Sequence, residues 1–231
     1  MKIFAISDMH GNLDGLDPSG CDVVVVAGDF SKLSGGGKWR LYDQKKWIQT
    51  KFFDWTGQYP DIKFVVVPGN HDMCLDPSKI AAIHDVDLRI SWPDNVSPLI
   101  DSSVTVGDKV FYGSPWVPII SYRWAFEAEH DDLIKVFSRI PDRVDVLITH
   151  APPHIGPTSG IDRSLQRGGH EAFGSHELAS AIAERRPRFS LCGHIHSGAH
   201  DATQFCGTVI RNVSRVDENY EIAYEPAVFE I

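Results

Sequence analysis

The chain has no CxxC pair, no apolar run near the roughly 18 residues of a membrane span, and no excess of basic residues. Its four cysteines, Cys21, Cys74, Cys192 and Cys206, are too sparse for a disulfide scaffold, so reduced and mostly buried thiols are expected. The stretch Met1-Lys2-Ile3-Phe4-Ala5-Ile6-Ser7-Asp8 lacks the charged, apolar and small-residue regions of a signal peptide, and it reads as the start of a cytoplasmic protein with no membrane partner. Lys and Arg number 22 against 31 Asp and Glu, a net charge of −9 at pH 7. Such a surface repels polyanions, so long nucleic acid is not an expected partner. Linkers, repeats and low-complexity tracts are missing too. With 231 residues, 42% hydrophobic and 23% charged, the chain is expected to fold as one domain over residues 1–231.

Histidine, by contrast, is plentiful, with eleven in all. In Gly193-His194-Ile195-His196, which follows the apolar run Phe189 to Cys192, the two imidazoles are two residues apart. In extended chain they point to one side and can converge on a metal ion. A histidine pair on a surface is a bland alternative, but the pattern recurs. Lys2–Ser7 runs into Asp8 and His10, and Cys21–Ala27, with four consecutive valines, runs into Gly28-Asp29. Lys63–Val67 leads to Gly69-Asn70-His71-Asp72, and Val144–Ile148 leads to His150. Continuous apolar runs of this length fit strands covered on both faces. Ligands in open α/β sheets bind beyond the carboxyl ends of strands, so five such ends are expected to meet at one edge.

Between these runs the pattern alternates toward helix. Residues 40–56 present Leu41, Trp47, Ile48, Phe52 and Trp55 on one face. Asp76-Pro77 reads as a cap before a short helix whose inner face is Ile80, Ala81 and Ile83. A helix over 126–139 is expected to turn Leu133, Ile134, Val136 and Phe137 inward, and Ser175 caps another that runs to about Arg186. Ser102–Tyr112 reads as a hairpin around Gly107-Asp108, and the tail from Thr208 reads as antiparallel strands, with Tyr220, Ile222 and Tyr224 alternating against polar residues. The alternation of β and α argues an α/β fold with a second, β-rich sheet.

The donor set is mixed nitrogen and oxygen, without thiolate, which suits Mn, Fe, Zn, Ni or Co. It is too large for one tetrahedral ion and fits two divalent metal ions bridged by Asp29. Two divalent ions bring +4, and Asp8 and Asp29 return −2. A site left positive would hold a hydroxide and attract an anion, which points to phosphoester hydrolysis.

Asp8 and His10, Gly28-Asp29, Gly69–Asp72, His150 and Gly193–His196, in this order, resemble the motifs of the calcineurin-like metallophosphoesterases. Further stretches, Gly113–Pro118, Thr149–Pro153, Leu165-Gln166-Arg167 and Gly193–Gly198, resemble the metallophosphoesterase-domain branch first noted in brain, grouped with phosphodiesterases of cyclic nucleotides. The resemblance implies a four-layered α/β/β/α sandwich with two mixed β-sheets. It implies that Asp8, His10, Asp29 and His196 hold one metal, and that Asp29, Asn70, His150 and His194 hold the other. His71 would protonate the leaving oxygen, with Asp72 orienting it. Many relatives have an acidic or amide residue three positions after Gly-Asp, whereas this chain reads Phe30-Ser31-Lys32-Leu33. Some members of the brain branch have Gly at the position of His194, and its retention here implies a complete centre.

The expected activity is therefore hydrolysis of a small phosphodiester, a cyclic nucleotide in the first instance, by a metal-bridging hydroxide. A phosphomonoesterase or nuclease is the alternative, and a non-catalytic interaction module on the same scaffold is the rival of another class. For substrate contacts the candidates are Arg163 and Arg167, in the loop 151–174, and Trp116, each against a bland reading as a solvated charge or a packed ring.

Overall fold

The runs rich in β-branched residues become parallel strands that bury both faces. The structure is a computed structural model and describes residues 1–33, 37–83, 88–156, 159–164 and 171–231. Ser34–Gly36, His84 and the stretch 165–170, with Arg167 and His170, lie outside the described residues. The first sheet contains β1 (Lys2–Ile6), β2 (Val23–Ala27), β3 (Lys63–Val67) and β4 (Val96–Pro98), all parallel, with β13 (Ala227–Glu230) antiparallel along β1. In the second sheet β6 (Lys109–Ser114), β9 (Val146–Thr149), β10 (Phe189–Cys192) and β12 (Thr208–Asn212) run parallel, flanked by antiparallel β5 (Ser102–Val106) and β11 (Thr203–Phe205). A short pair, β7 (Val117–Pro118) and β8 (Glu127–Ala128), stands apart.

Side chains of a strand alternate between faces, and the core divides accordingly. Ile3, Ala5, Val23, Val25 and Val67 pack against Phe111, Val146, Ile148 and Leu191 between the two sheets. On the other side of the first sheet, Phe4, Ile6, Val24, Val26 and Phe64 pack against Leu41, Trp47, Ile48, Phe52 and Trp55. These come from α1 (Lys38–Trp47), a π-helical turn (Ile48–Phe52) and α2 (Phe53–Gly57), where one uninterrupted helix was expected. The outer face of the second sheet, with Tyr112, Leu147 and Ile210, is covered by α4 (His130–Phe137) and α5 (His176–Arg185). The result is the expected four-layered helix–sheet–sheet–helix sandwich, with both sheets mixed.

Local signals were mostly obeyed. Asp76 Oδ1 accepts from Ser78 N at 2.8 Å and opens α3 (Pro77–Ala81), and Ser175 Oγ accepts from Leu178 N at 3.0 Å and opens α5. Gly107 sits in the hairpin between β5 and β6 with a left-handed φ of 61°. Four expectations need correction. Ile134 is 49% exposed because α4 spans only Leu133, Val136 and Phe137 toward the sheet. Ala81 is exposed and leaves Ile80 and Ile83 to make the contact of α3. Tyr220–Tyr224 is not a strand. It is a turn with one isolated bridge, Val216 to Ile222, and Tyr220 takes a left-handed φ of 64°. The strand at Thr208–Asn212 is antiparallel to β11, as expected, but parallel to β10 on its other side. All four cysteines are free, and all but Cys206 are buried.

Phe52 is fully buried within this helical layer. Phe52→Ala is expected to cost about 3–5 kcal/mol through lost burial and a cavity, while Ile134→Ser stays within about 0.5 kcal/mol because its surface position contributes little. Urea unfolding of both variants checks the contrast.

Candidate metal centre

Because β1, β2 and β3 are parallel neighbours, the loops at their carboxyl ends lie side by side. The backbone laces them together. Asp8 N donates to Gly28 O at 3.0 Å, His10 N to Asp29 O at 2.9 Å, and Gly11 N to Phe30 O at 3.0 Å. The second sheet brings its own loops to the same edge, with Gly193 N donating to His150 O at 3.0 Å and Ser7 N to Val213 O at 2.8 Å. The donors meet through closely fitted glycines. A Cβ on Gly28 would lie 2.1 Å from His150 Nδ1, one on Gly69 would lie 2.2 Å from Asp29 Oδ1, and one on Gly193 would lie 2.0 Å from Ser7 Oγ and 2.3 Å from Asp8 Oδ2. Each motif glycine therefore leaves room for the ligand of another motif. Asp8, His10, Asp29 and His194 all adopt left-handed φ, at 54°, 45°, 49° and 70°. Such backbone costs about 1–3 kcal/mol per residue and concentrates at functional sites.

Every residue expected to hold metal reaches this edge. Asp8, His10 and His196 form one group of donor atoms within 4.8 Å of one another, His10, Asp29 and His71 a second, and Asp8, Asp29 and His150 a third. His10 Nε2 and His196 Nε2 stand 3.4 Å apart, and Asp8 Oδ1 is 3.5 Å from His196 Nε2. His150 Nε2 lies 2.9 Å from Asn70 Oδ1 and 3.2 Å from Asp29 Oδ2. Ligand atoms about 2.0–2.2 Å from a shared tetrahedral ion stand roughly 3.3–3.5 Å apart, a spacing that the His10–His196 and Asp8–His196 pairs match. His194 joins through its ring, 5.0 Å from that of His150, and through its N–H, which donates to Asp8 Oδ2 at 3.0 Å. The tautomers agree. His150 Nδ1 donates to Ala27 O and His196 Nδ1 to Asp217 O, both at 2.9 Å, which turns each Nε2 to the centre. These Asp and His groups could hold a metal ion.

His71 lies at the rim. Its ring is 5.0 Å from that of His10 and 4.3 Å from that of Trp124, and its backbone N–H donates to Asp29 Oδ1 at 2.7 Å. Burial lowers its pKa and keeps the imidazole neutral. Asp72 does not orient that ring. Its buried carboxylate accepts from Gly69 N at 2.8 Å, Ser31 N at 2.9 Å and Phe30 N at 3.4 Å. It ties the loop after β2 to the loop after β3. Burial, then the charge of Asp29, raises its pKa to about 6.

Of the expected substrate contacts, Trp116 is half-buried, donates to Asp101 Oδ2 at 2.8 Å and meets Phe126 edge-on. Arg163 is half-buried and pairs its backbone with Ala172. Arg167 lies outside the described residues. Several contributors carried no motif. Gln44 of α1 donates to His71 O at 2.5 Å and accepts from Cys74 N at 3.1 Å, clamping the third loop. Ser214 Oγ donates to Asp8 Oδ2 at 2.7 Å, Asn212 Nδ2 to Ile195 O at 2.7 Å, and the Tyr220 ring lies 4.8 Å from His10 and 5.4 Å from His196. The polar alternation of that tail, read as a strand, concealed them.

The profile of the calcineurin-like phosphoesterase family matches residues 1–198, and the chain belongs to that family. The tail residues Asn212, Ser214, Asp217 and Tyr220 lie beyond the matched segment. The human protein named metallophosphoesterase domain-containing protein 1 is 30% identical over 248 residues, an alignment that takes in all of this chain and 71% of that protein, and its mouse counterpart matches equally. Among solved structures, TT1561 of Thermus thermophilus superposes with a TM-score of 0.59 at 15% identity, covering 94% of this chain and 89% of its own. The phosphopantetheinyl hydrolase PptH of Mycobacterium tuberculosis gives 0.55 at 15% identity, covering 95% and 90%. Both share the fold.

Electrostatics links the donors to protons when no metal is bound. At His150 burial opposes the charge, but Asp29 overrides it and raises the pKa to about 9. At His196 burial is likewise overridden, by Asp8, again to about 9. Asp8 and Asp29 are driven down by these histidines despite their own burial. A histidine with a raised pKa stabilises the fold fully below its ordinary value of 6.5, and the contribution fades as pH rises through about 9. Metal must displace those protons from Nε2. Adding Mn²⁺ to metal-free protein at pH 7 in weak buffer is expected to release about two protons per chain, with affinity rising toward pH 9. Affinity that stays flat between pH 6 and 9, in titration calorimetry, contradicts this.

The glycine interlock gives a second expectation. Gly193→Ala drives a methyl group into Ser7 and Asp8. The variant is expected to lose metal binding and about 2 kcal/mol or more of stability, read by calorimetry and thermal unfolding.

Proposed function

We propose that the chain is a dinuclear metal-dependent phosphoesterase that hydrolyses small phosphodiesters, with a cyclic nucleotide as the candidate substrate. The observation that carries this is the overlap of the donor groups at Asp29, which belongs both to the group with His10 and His71 and to the group with Asp8 and His150. One carboxylate within two overlapping groups is what a bridged pair of ions needs. Asp8, His10, Asp29 and His196 would hold one ion, and Asp29, Asn70, His150 and His194 the other. When bound, such ions polarise phosphoryl oxygens and make water nucleophilic near neutral pH. Mn, Fe, Zn, Ni and Co all suit this donor set.

The chain's own groups supply the rest. Two carboxylates among the seven donors leave the loaded site positive, which favours an anionic ester. His71, held neutral and fixed by Trp124 and the Asp29 contact, is placed to give a ring N–H hydrogen bond to a phosphoryl or leaving oxygen. Asp72 acts beneath it by fixing the loops.

Hydrolysis of bis(p-nitrophenyl) phosphate and of p-nitrophenyl phosphate, with Mn²⁺ and with EDTA, tests the reading. Diester turnover is expected to exceed monoester turnover, to vanish in EDTA, and to fall at least about a hundredfold in Asn70→Ala, as loss of a ligand would do. Turnover of the monoester alone would replace the diesterase reading with a phosphatase. Full metal loading without turnover of either would favour a binding role.

A further inference from the structure

A cavity of about 400 Å³ opens beside the candidate centre, and His194 forms part of its wall. Its volume falls within the range of about 300–1,000 Å³ common to small-molecule sites. The other walls are mainly apolar, with Ile119, Ile120, Ile195 and Phe173 prominent, and the charged residue among them is Glu218. Among the described residues that line it there is no Lys or Arg. Glu218 is fixed in place, since its Oε1 accepts from Ser164 Oγ at 3.1 Å and from the N–H and hydroxyl of Ser197, the residue after His196. The last metal-ligand motif therefore also builds this cavity.

We infer that this cavity is a specificity pocket for the organic group of the phosphoester, and that it selects a planar or branched apolar group over a small alkyl group. The inference rests on the phosphodiesterase reading above and names the substrate class of that site. Two observations carry it. The cavity shares His194 with the centre, so a substituent on a phosphorus held there is within reach of it. Its walls gain by covering apolar surface, at roughly 25 cal/mol per Å², and Phe173 offers an aromatic partner. None of Ile119, Ile120, Phe173 and Glu218 belongs to the metal-ligand motifs, so they are free to set specificity without altering the centre.

The test compares bis(p-nitrophenyl) phosphate with methyl p-nitrophenyl phosphate in the Mn²⁺-loaded protein. Both release p-nitrophenolate, and only the retained group differs. The ratio of their kcat/KM values is measured for the unaltered protein, for Phe173→Ala and for Ile120→Glu. Ile120 is 50% exposed, so its variant is expected to fold. The unaltered protein is expected to favour the diaryl ester, and the ratio to fall about tenfold in each variant, as loss of one buried ring contact would give. A fall of less than twofold in both variants overturns the pocket and leaves the phosphodiesterase reading standing. No turnover of either ester by the unaltered protein overturns that reading, and this inference with it.

Discussion

The structure depends on a steric constraint: the donor loops approach one another more closely than any side chain at the motif glycines would permit. Asp29 fills the space beside Gly69, His150 the space beside Gly28, and Asp8 the space beside Gly193. The three contacts join loops from β1, β2, β3, β9 and β10, which belong to both sheets. The centre is thus the seam along which the sheets are fastened, and its left-handed Asp8, His10, Asp29 and His194 are tolerable only because the surrounding strands fix their path. The inter-sheet core of Val25, Val67, Phe111 and Ile148 supplies the stability that strain at the seam consumes.

Two buried carboxylates then set the electrostatic problem. Asp8 and Asp29 are removed from water and stay ionised because His196 and His150 stand against them. Protons on those histidines and divalent cations are alternative answers to the same buried charge. Fixed Nδ1–H donation to Ala27 O and Asp217 O decides which ring nitrogen answers. The shell that orients the donors extends well past the motifs, to Ser214 on Asp8 and Asn212 beneath Ile195.

Most of the fold and the donor set were legible in the sequence, for a physical reason. Strands buried on both faces must be apolar throughout, so Val23–Val26 and Phe64–Val67 announce themselves, and polar clusters at their ends stand out. Paired i, i+2 donors such as His194 and His196 carry their geometry in their spacing. Other features depend on partners far away in the chain. Asp72 reads as a companion of its neighbour His71, but its charge is taken by amides of the loop after β2, contacts that no spacing reveals. Tyr220, Ile222 and Tyr224 alternate as a strand would, yet the turn from Asp217, whose carbonyl accepts both Tyr220 N and His196 Nδ1, takes precedence. Trp116, a candidate substrate contact from sequence, has its indole N–H held by Asp101, a partner that no spacing reveals.

The same division explains why the motifs name a chemistry and not a substrate. The seven donors are placed by strand ends, a geometry the whole fold enforces, and any substitution among them disturbs the seam. The groups around the donors answer to no such constraint. Trp124 beside His71, Tyr220 beside His10 and His196, and the apolar wall of Ile119, Ile120 and Phe173 beside His194 occupy separate sides of the centre, in loops that can vary without loosening the sheets. Under the proposed function, reaction type and substrate preference would be carried by different residues, fixed by different forces. Steric interlock and buried charge hold the first set, and apolar contact with the substrate itself would give the second set its effect.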